Sequence, residues 1–280
     1  MRHTVIPALA CATLFALVAC PAARAELELK ANAGQFSEAV AGRMPGVQTV
    51  PAGAKLVSLT TTDGWRIAGH YWPPSGKQAP AVILLHQRGR DKTSWGALPK
   101  LLTKQGYAVL AIDLRGHGES KAPGGKRVAV SDLTDADFCA MLGDVAAADK
   151  HLTAQSGVDK DRIGIIGASI GANLAVAYLA GDRRVRTAVC LSPGLDYKGL
   201  RPLDFMEKVD KRPLYLLATK GDKYSADSAA QISKAGTTDG PKSLRLFEGS
   251  EHGTDMLAAN EGLAVTIASG WLLNYLPPVR

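Results

Sequence analysis

The most regular feature of the chain is a series of short apolar runs that alternate with segments of helical periodicity, from about residue 79 onward. The runs lack the polar and apolar alternation of half-exposed strands, which indicates strands buried on both faces of a sheet. Strands that alternate with helices are typical of an α/β fold with a mostly parallel sheet. The strand segments are "APAVILLHQ", "YAVLAIDLRGHG", "RIGIIGAS", "VRTAVCLSPG", "RPLYLLATKGD" and "SLRLFEGSEHG".

One hairpin and several helical segments complete the predicted fold. Two alternating segments at residues 54–74 are separated by Asp63-Gly64, a pair that favours a tight β-turn because glycine adopts positive φ readily. We therefore predict an antiparallel hairpin and a sheet of about eight strands with helices on both faces. The helical segments are "WGALPKLLTKQG", "DADFCAMLGDVAAADKHL", "IGANLAVAYLA", "SADSAAQISKAG" and a final helix from about Thr254 to Leu276.

The N-terminus has the order of a secretory signal peptide. Arg2 and His3 precede an apolar run from Val5 to Ala19, and Ala23-Arg24-Ala25 fits the small-residue cleavage rule. The run is shorter than a membrane span requires. We predict a signal peptide over residues 1–25 and export to the periplasm or the medium, with no stable membrane span.

The remaining residues divide into two segments. Residues 26–54 are predicted to form an N-terminal arm, and residues 55–280 form one domain that is long enough to enclose its own core. An alternative start is open, because "LVAC", ending at Cys20, resembles the box at which bacterial lipoproteins are processed. In that case Cys20 would carry a lipid anchor.

The charge composition of the chain limits the classes of partner expected for the domain. Loss of Arg2 and Arg24 with the signal peptide lowers the formal charge from +7 to +5, and the basic surplus is spread along the chain. Its densest cluster is Arg183, Arg184 and Arg186, which a solvated loop between a helix and a strand explains. No nucleic-acid partner is expected, because no run interleaves basic and aromatic residues.

Two cysteines remain after the signal peptide, Cys139 in a helical segment and Cys190 in a strand segment. One disulfide is possible in an oxidising compartment. Two isolated thiols are the expectation, since free cysteine packs as a small hydrophobic residue.

Ser169 is the first candidate for chemistry. It lies between a strand segment and a helical segment, with Gly167 and Gly171 two residues away on either side. A sharp turn that exposes a nucleophilic hydroxyl leaves no room for a Cβ at these flanking positions. The helix that follows also directs backbone N–H groups toward the place where an oxyanion would form. The alternative is a glycine-lined turn needed only for close packing of helix on strand.

A serine nucleophile requires a base and an acid that orients the base. His252 follows the last strand segment, and Asp222 follows the preceding one. Asp227 is a reserve candidate for the acid, although a place in the first turn of the next helix explains it better. Because parallel strands end at the same edge of a sheet, we expect Ser169, Asp222 and His252 to converge there.

With these motifs the chain resembles the α/β-hydrolase superfamily, and within it the compact serine hydrolases similar to dienelactone hydrolases and small esterases. The likeness runs from about Lys55 to the C-terminus and includes "LLHQRG" and "DLRGHGES". It implies that Ser169 is the nucleophile, Asp222 the acid and His252 the base. Dienelactone hydrolases use a cysteine nucleophile, so the serine implies a different activity.

The resemblance also implies an oxyanion hole. Its donors would be the backbone N–H groups of Ile170 and Arg88, with Gln87 as the alternative to Arg88. The choice is open because the chain has "HQ" where family members usually have His-Gly. In "DLRGHGES", Arg115 and His117 are expected to brace neighbouring loops.

The cleft is expected to be open. About twenty residues separate the strand that ends near Ser192 from the one that begins near Pro213, too few for a separate helical cap domain. An open cleft suits short or medium acyl esters. The side chains that could line this cleft, or belong instead to the core, are Tyr197, Leu200, Leu203 and Phe205.

Arg88 and Arg90 flank the predicted oxyanion loop. They could attract a substrate that carries a carboxylate. We favour ion pairs with nearby acids such as Asp91 and Asp113.

The sequence therefore predicts an exported carboxylic ester hydrolase that acts on a small-molecule ester through an acyl-enzyme. No metal or cofactor is expected, because the chain has neither a zinc-binding "HExxH" motif nor a Walker loop. Two alternatives stay open: a serine peptidase or amidase acting on short peptides, and a non-catalytic exported binding protein of the same fold.

Overall fold

The computed structural model describes residues 50–236, 240–259 and 262–279. The predicted signal peptide at residues 1–25, the alternative lipid anchor at Cys20 and all but the end of the predicted arm at residues 26–54 lie outside the described residues. Within the described part of the chain, no helix has the length and apolar content needed to cross a membrane.

Eight strands form one open sheet, as predicted. Their order across the sheet is β1-β2-β4-β3-β5-β6-β7-β8. The first hairpin pairs antiparallel and β2 pairs antiparallel with β4, whereas every later pair is parallel. The strands are β1 Lys55–Thr60, β2 Arg66–Trp72, β3 Ala79–Leu85, β4 Ala108–Ile112, β5 Val158–Ala168, β6 Val185–Leu191, β7 Leu214–Thr219 and β8 Lys242–Phe247.

The α-helices of the described residues follow the predicted segments, apart from the unpredicted four-residue helix Met206–Val209 and two differences in bounds. The segment predicted as one helix over residues 135–152 is divided at Met141. The final helix does not begin near Thr254, because Gly253–Leu257 form a 3₁₀ turn and Gly262 adopts a left-handed φ of 77° before the helix. The helices are α1 Leu98–Lys104, α2 Asp135–Ala140, α3 Leu142–Thr153, α4 Ile170–Gly181, α5 Met206–Val209, α6 Lys223–Lys234 and α7 Leu263–Tyr275.

The core has two layers, one on each face of the sheet. On β3, Ala81, Ile83 and Leu85 pack into a cluster with residues of α3, α4 and α6, whereas Val82 and Leu84 pack into a second cluster with residues of α1 and α7. Because successive side chains of a strand point to opposite faces, a strand covered on both sides must be apolar throughout. This explains the continuous apolar run and confirms helices on both faces.

The loop "DLRGHGES" after β4 connects distant parts of the fold through buried charges. Arg115 binds Asp144 of α3, with Nη2 and Oδ1 2.7 Å apart, and also reaches Asp63 in the β1–β2 turn. Lys92 Nζ lies 2.8 Å from Asp113 Oδ2, and both side chains are fully buried. Arg115 thus braces neighbouring loops as the resemblance implies.

The segment between β6 and β7 contains only a 3₁₀ turn, Pro202–Phe205, and the four-residue helix α5. Within residues 50–236, 240–259 and 262–279, no cap domain stands over the C-terminal ends of β5 to β8. Cys139 and Cys190 are both free thiols.

Candidate active site

Ser169 occupies a strained turn between β5 and α4. Its φ of 54° lies in the left-handed region, which non-glycine residues seldom adopt. The backbone N–H of Ser169 donates to the carbonyl of Leu191 at the end of β6, at 2.8 Å. Strain of this kind persists only where the surrounding packing fixes the backbone.

The flanking glycines are required by this packing. A Cβ on Gly167 would overlap the backbone of Gly171, and a Cβ on Gly171 would overlap the carbonyl of Leu85. The first turn of α4 therefore lies directly against the end of β3. This close approach also brings the loop that follows β3 beside Ser169.

Asp222 and His252 meet at the same edge of the sheet. Asp222 follows β7 and stands at the N-terminus of α6, and His252 follows β8 at the start of a 3₁₀ turn. The distance from Asp222 Oδ2 to His252 Nδ1 is 2.6 Å. A carboxylate at Nδ1 leaves Nε2 as the nitrogen that can accept a proton. Asp227, the reserve candidate, lies on the exposed side of α6, where its carboxylate binds Lys223 at 2.9 Å.

Ser192 and Ser225 support this pair, and neither was singled out from the sequence. Burial raises the pKa of Asp222. Hydrogen bonding by His252, Ser225 and Ser192 lowers it by a larger amount, so the pKa lies below its ordinary value. The Ser192 hydroxyl also accepts the backbone N–H of Gly253 at 2.9 Å. The position of Ser192 directly after β6 was the available signal, since chemistry collects at strand ends.

Gln87 holds the backbone that directly follows the histidine. Its Oε1 accepts the backbone N–H and the hydroxyl of Thr254, both at 2.8 Å, and its Nε2 donates to the carbonyl of His252 at 3.2 Å. The Gln87 side chain is buried. The sequence offered Gln87 only as a backbone donor, and the structure adds this side-chain contact at the position where family members usually have glycine.

The predicted oxyanion donors lie on two sides of the Ser169 turn. Ile170 is the first residue of α4, so its N–H has no acceptor within the helix. Gln87 and Arg88 belong to the loop after β3. The turn at Ser169 packs against the carbonyl of Leu85, the last residue of β3, so this loop lies beside the turn. His86 anchors this loop, because Nδ1 lies 2.8 Å from the carbonyl of Gln87 and Nε2 accepts the N–H of Leu114 at 3.0 Å.

Tyr197 lies beside the serine. Its hydroxyl is 3.5 Å from that of Ser225. Burial raises the pKa of the Tyr197 phenol above its ordinary value, although the nearby hydroxyl groups of Ser225 and Ser169 oppose this effect. The phenol is therefore protonated at neutral pH and available as a donor.

The other predicted wall residues differ from one another in burial. Leu200 is only 2% exposed and belongs to the core cluster, Phe205 packs partly buried against that cluster, and Leu203 faces solvent. Asn173 of α4 fixes the segment that carries Tyr197, because its amide binds the backbone of Gly194 and Leu200.

The expected ion pairs of Arg90 with Asp91 or Asp113 are wrong. Arg90 Nη2 binds Asp255 instead, at 2.7 and 2.8 Å from the two carboxylate oxygens. The buried Asp113 accepts from Lys92, and Asp91 accepts from Thr93 in its own turn. The Arg90 pair ties the loop after β3 to the turn after His252.

Similarity to known proteins agrees with this fold. A family described as "alpha/beta hydrolase fold" matches residues 80–235. An esterase of Pyrococcus furiosus superposes with a TM-score of 0.67 at 20% identity, over 84% of this chain and 99% of that one. The superposition establishes a shared fold, and at this identity it establishes nothing more.

Two curated relatives cover part of the chain. An uncharacterized protein of Mycobacterium tuberculosis is 34% identical over 155 residues, 55% of this chain and 50% of its own length. A monoacylglycerol lipase of Mycolicibacterium smegmatis is 32% identical over 137 residues, 48% of this chain and 45% of its own length. The chain thus spans about half the length of these relatives.

Proposed function

Because the chain belongs to the alpha/beta hydrolase family, we propose that it is a serine hydrolase that cleaves carboxylic esters of short or medium acyl chains. The observation that carries the proposal is the Asp222–His252 hydrogen bond at the sheet edge that also presents the strained Ser169. A strained serine alone is compatible with a structural turn. A carboxylate-bound histidine at the same edge supplies the base that the nucleophile requires.

In the proposed mechanism, Ser169 Oγ attacks the ester carbonyl while His252 Nε2 takes its proton. Asp222 holds the imidazole in the tautomer with the proton on Nδ1 and stabilises the imidazolium that forms. His252 then returns the proton to the departing alcohol, which leaves Ser169 acylated. Water, deprotonated by His252, then attacks the acyl-enzyme. His252 returns that proton to Ser169 Oγ as the bond to the acyl group breaks, which releases the carboxylic acid and restores the serine.

The developing oxyanion would receive hydrogen bonds from the N–H of Ile170 and an N–H of the loop after β3, from Arg88 or Gln87. Donors fixed by the backbone need no reorganisation during the reaction, which makes them effective. The protonated Tyr197 hydroxyl beside Ser169 would contact the substrate once the ester displaces it from the serine.

Substrate class follows from the shape of the site. The part of the chain that the structure describes places no cap domain over the site, and Tyr197 stands close to the serine. We therefore assign short or medium acyl chains, and the lipase relative favours esters over amides. A serine peptidase would use the same residues, and it would hydrolyse aminoacyl amides and acyl esters at comparable rates.

We propose further that the protein is exported, from the signal-peptide pattern of residues 1–25. The alternative is a lipoprotein anchored at Cys20. The mass of the mature N-terminal peptide distinguishes a start at Glu26 from a lipidated Cys20.

Covalent labelling tests the proposed function. A fluorophosphonate probe is expected to label the wild-type protein and to leave Ser169→Ala unlabelled, since the probe reacts with an activated serine. The wild type should hydrolyse nitrophenyl acetate and butyrate faster than the palmitate. Ser131→Ala, which removes an exposed serine in the loop before α2, is the matched control and should retain labelling. Equal labelling of wild type and Ser169→Ala would refute the proposal.

Replacement of Gln87 by methionine is expected to lower kcat about 10- to 100-fold with little change in KM. The variant keeps the side-chain length but leaves Thr254 N–H and His252 C=O without their partner, so the histidine shifts from its working position. Steady-state kinetics on a nitrophenyl ester measures the effect.

Thr254→Val is the matched control, because it removes the hydroxyl contact with Gln87 and keeps the backbone contact. We expect this control to retain most of the activity. A Gln87→Met variant with reduced thermal stability but wild-type kcat would show that Gln87 is a structural residue without influence on His252.

A further inference from the structure

A basic cavity lies at the end of the sheet opposite Ser169. Its volume is about 540 Å³, within the range of small-molecule sites. It opens at the N-terminal ends of β5, β6 and β7, and the length of β6 places it about 20 Å from the catalytic edge. The charged residues that line it are Arg162, Arg183, Arg186, Lys211, Arg212 and Asp210.

Positive charge is in excess in this cavity. Five of the six charged lining residues are cationic, and Asp210 is the single acid among them. Asp210 Oδ2 lies 4.0 Å from Arg183 Nη1, and the Arg183 side chain is 87% exposed. An exposed pair at this distance neutralises little charge.

The guanidinium groups are held by backbone carbonyls. Arg186 Nε donates to the carbonyl of Asp161 at 2.9 Å, and Arg162 donates to that of Pro277. Arg212 donates from Nε, Nη1 and Nη2 to backbone carbonyls, so it contributes positive charge to the cavity more than free N–H groups. Carbonyl acceptors fix the orientation of a guanidinium without cancelling its charge. The cavity is therefore preorganised for an anion.

The local electrostatics agree with this conclusion. Burial lowers the pKa of Arg212 below its ordinary value, and the positive charges of Arg183 and Arg186 lower it further, whereas Asp210 and Asp182 raise it. The arginines of the cavity thus repel one another. A bound anion would relieve this repulsion.

We propose that this cavity binds a compact polyanion of the diphosphate class. The planar fork of arginine matches the oxygens of a phosphate group, and several forks around one concavity favour a ligand with two linked phosphates. A concave site lined by one sign of charge also concentrates its potential on a small ligand. The proposal does not depend on the proposed ester hydrolysis.

Calorimetric titration with inorganic pyrophosphate tests the proposal on the full-length protein. We expect a dissociation constant below about 1 mM that rises with salt, as screening requires. Arg183→Gln combined with Arg186→Gln should weaken binding at least tenfold, because both exposed side chains face the cavity. Lys77→Gln combined with Lys126→Gln removes two exposed cations elsewhere and should leave binding unchanged.

Equal loss of affinity in the two double variants would overturn the proposal, since it would show binding to overall charge. Absence of pyrophosphate binding at 5 mM would overturn it as well. Vesicles of phosphatidylglycerol, with phosphatidylcholine as the reference, form the other arm. Co-sedimentation with phosphatidylglycerol that the arginine variant loses, without pyrophosphate binding, would replace the free diphosphate with a lipid headgroup.

Discussion

Replacement of Asp222 by asparagine is expected to lower kcat for a nitrophenyl ester by about 10³- to 10⁴-fold at neutral pH, with little change in KM. The carboxylate accepts the Nδ1 proton of His252 across 2.6 Å, whereas an asparagine NH₂ group at that place would donate to Nδ1. The imidazole would then carry its proton on Nε2 and could not accept the proton of Ser169. A loss of this size is typical when a triad histidine is held in the wrong tautomer.

Asp227→Asn is the matched control for this prediction. It removes a carboxylate from the same helix, on the exposed side where it pairs with Lys223. The control is expected to keep most of the activity, because an exposed pair contributes little. Full activity of Asp222→Asn together with loss of activity in Asp227→Asn would reverse the assignment of the acid.

Protonation of His86 is expected to lower the free energy of unfolding of the protein in acid. His86 is fully buried, and burial together with the neighbouring His117 lowers its pKa to about 3. Its ring accepts the N–H of Leu114, which requires the neutral form. In the unfolded chain the same histidine has a pKa near 6.5, so the unfolded state binds its proton first.

Because the unfolded state binds the proton at a higher pH than the folded state, the protein loses stability as the pH falls. The contribution of the neutral His86 to stability is complete above pH 6.5 and is lost as the pH falls from 6.5 toward 3. The difference of about 3.5 pKa units corresponds to about 5 kcal/mol in total, of which about 3 kcal/mol is lost by pH 4.5.

Urea unfolding of wild type and His86→Gln at pH 7.5 and pH 4.5 measures this contribution. The variant keeps an acceptor toward Leu114 but does not titrate, so contributions from other groups cancel in the difference between the two proteins. We expect the advantage of the wild type in free energy of unfolding to shrink by about 3 kcal/mol at the lower pH. An advantage that is independent of pH would show that His86 is not a titrating group of the fold.

Local patterns were sufficient for the order of elements and for the turn at Ser169. The apolar runs predicted β3 to β7, because a strand covered on both faces has few exposed positions to mark with a polar residue. The edge strand β8, which is mostly half-buried, was predicted from its shorter apolar segment and its place in the series. The spacing of Gly167 and Gly171 indicated the strained turn. Each glycine lies so close to other backbone, four residues away or at the end of the adjacent strand, that a Cβ would overlap it. The placement of Asp222 and His252 after consecutive strands followed from topology.

Local patterns failed where a helix boundary depends on distant contacts. The segment after His252 has helical composition, but Thr254 binds Gln87 and Asp255 binds Arg90, both from the loop after β3. These contacts fix a 3₁₀ turn in place of the first turns of the predicted helix. The same contacts redirect Arg90 away from the acids that are nearest in sequence.

Short-range periodicity and backbone conformation encode the α/β order, the parallel sheet and the edge at which the candidate residues collect, so these features could be predicted from the sequence. The contacts of Gln87 with the backbone of His252 and Thr254, and the carbonyls that hold the arginines of the basic cavity, are visible only in the folded molecule. Gln87 and Thr254 are 167 positions apart, and Arg212 and Asp182 are 30 apart. No local pattern records such pairs, because each bond depends on where a side chain and its backbone partner lie in space, and the chain between them leaves that distance free.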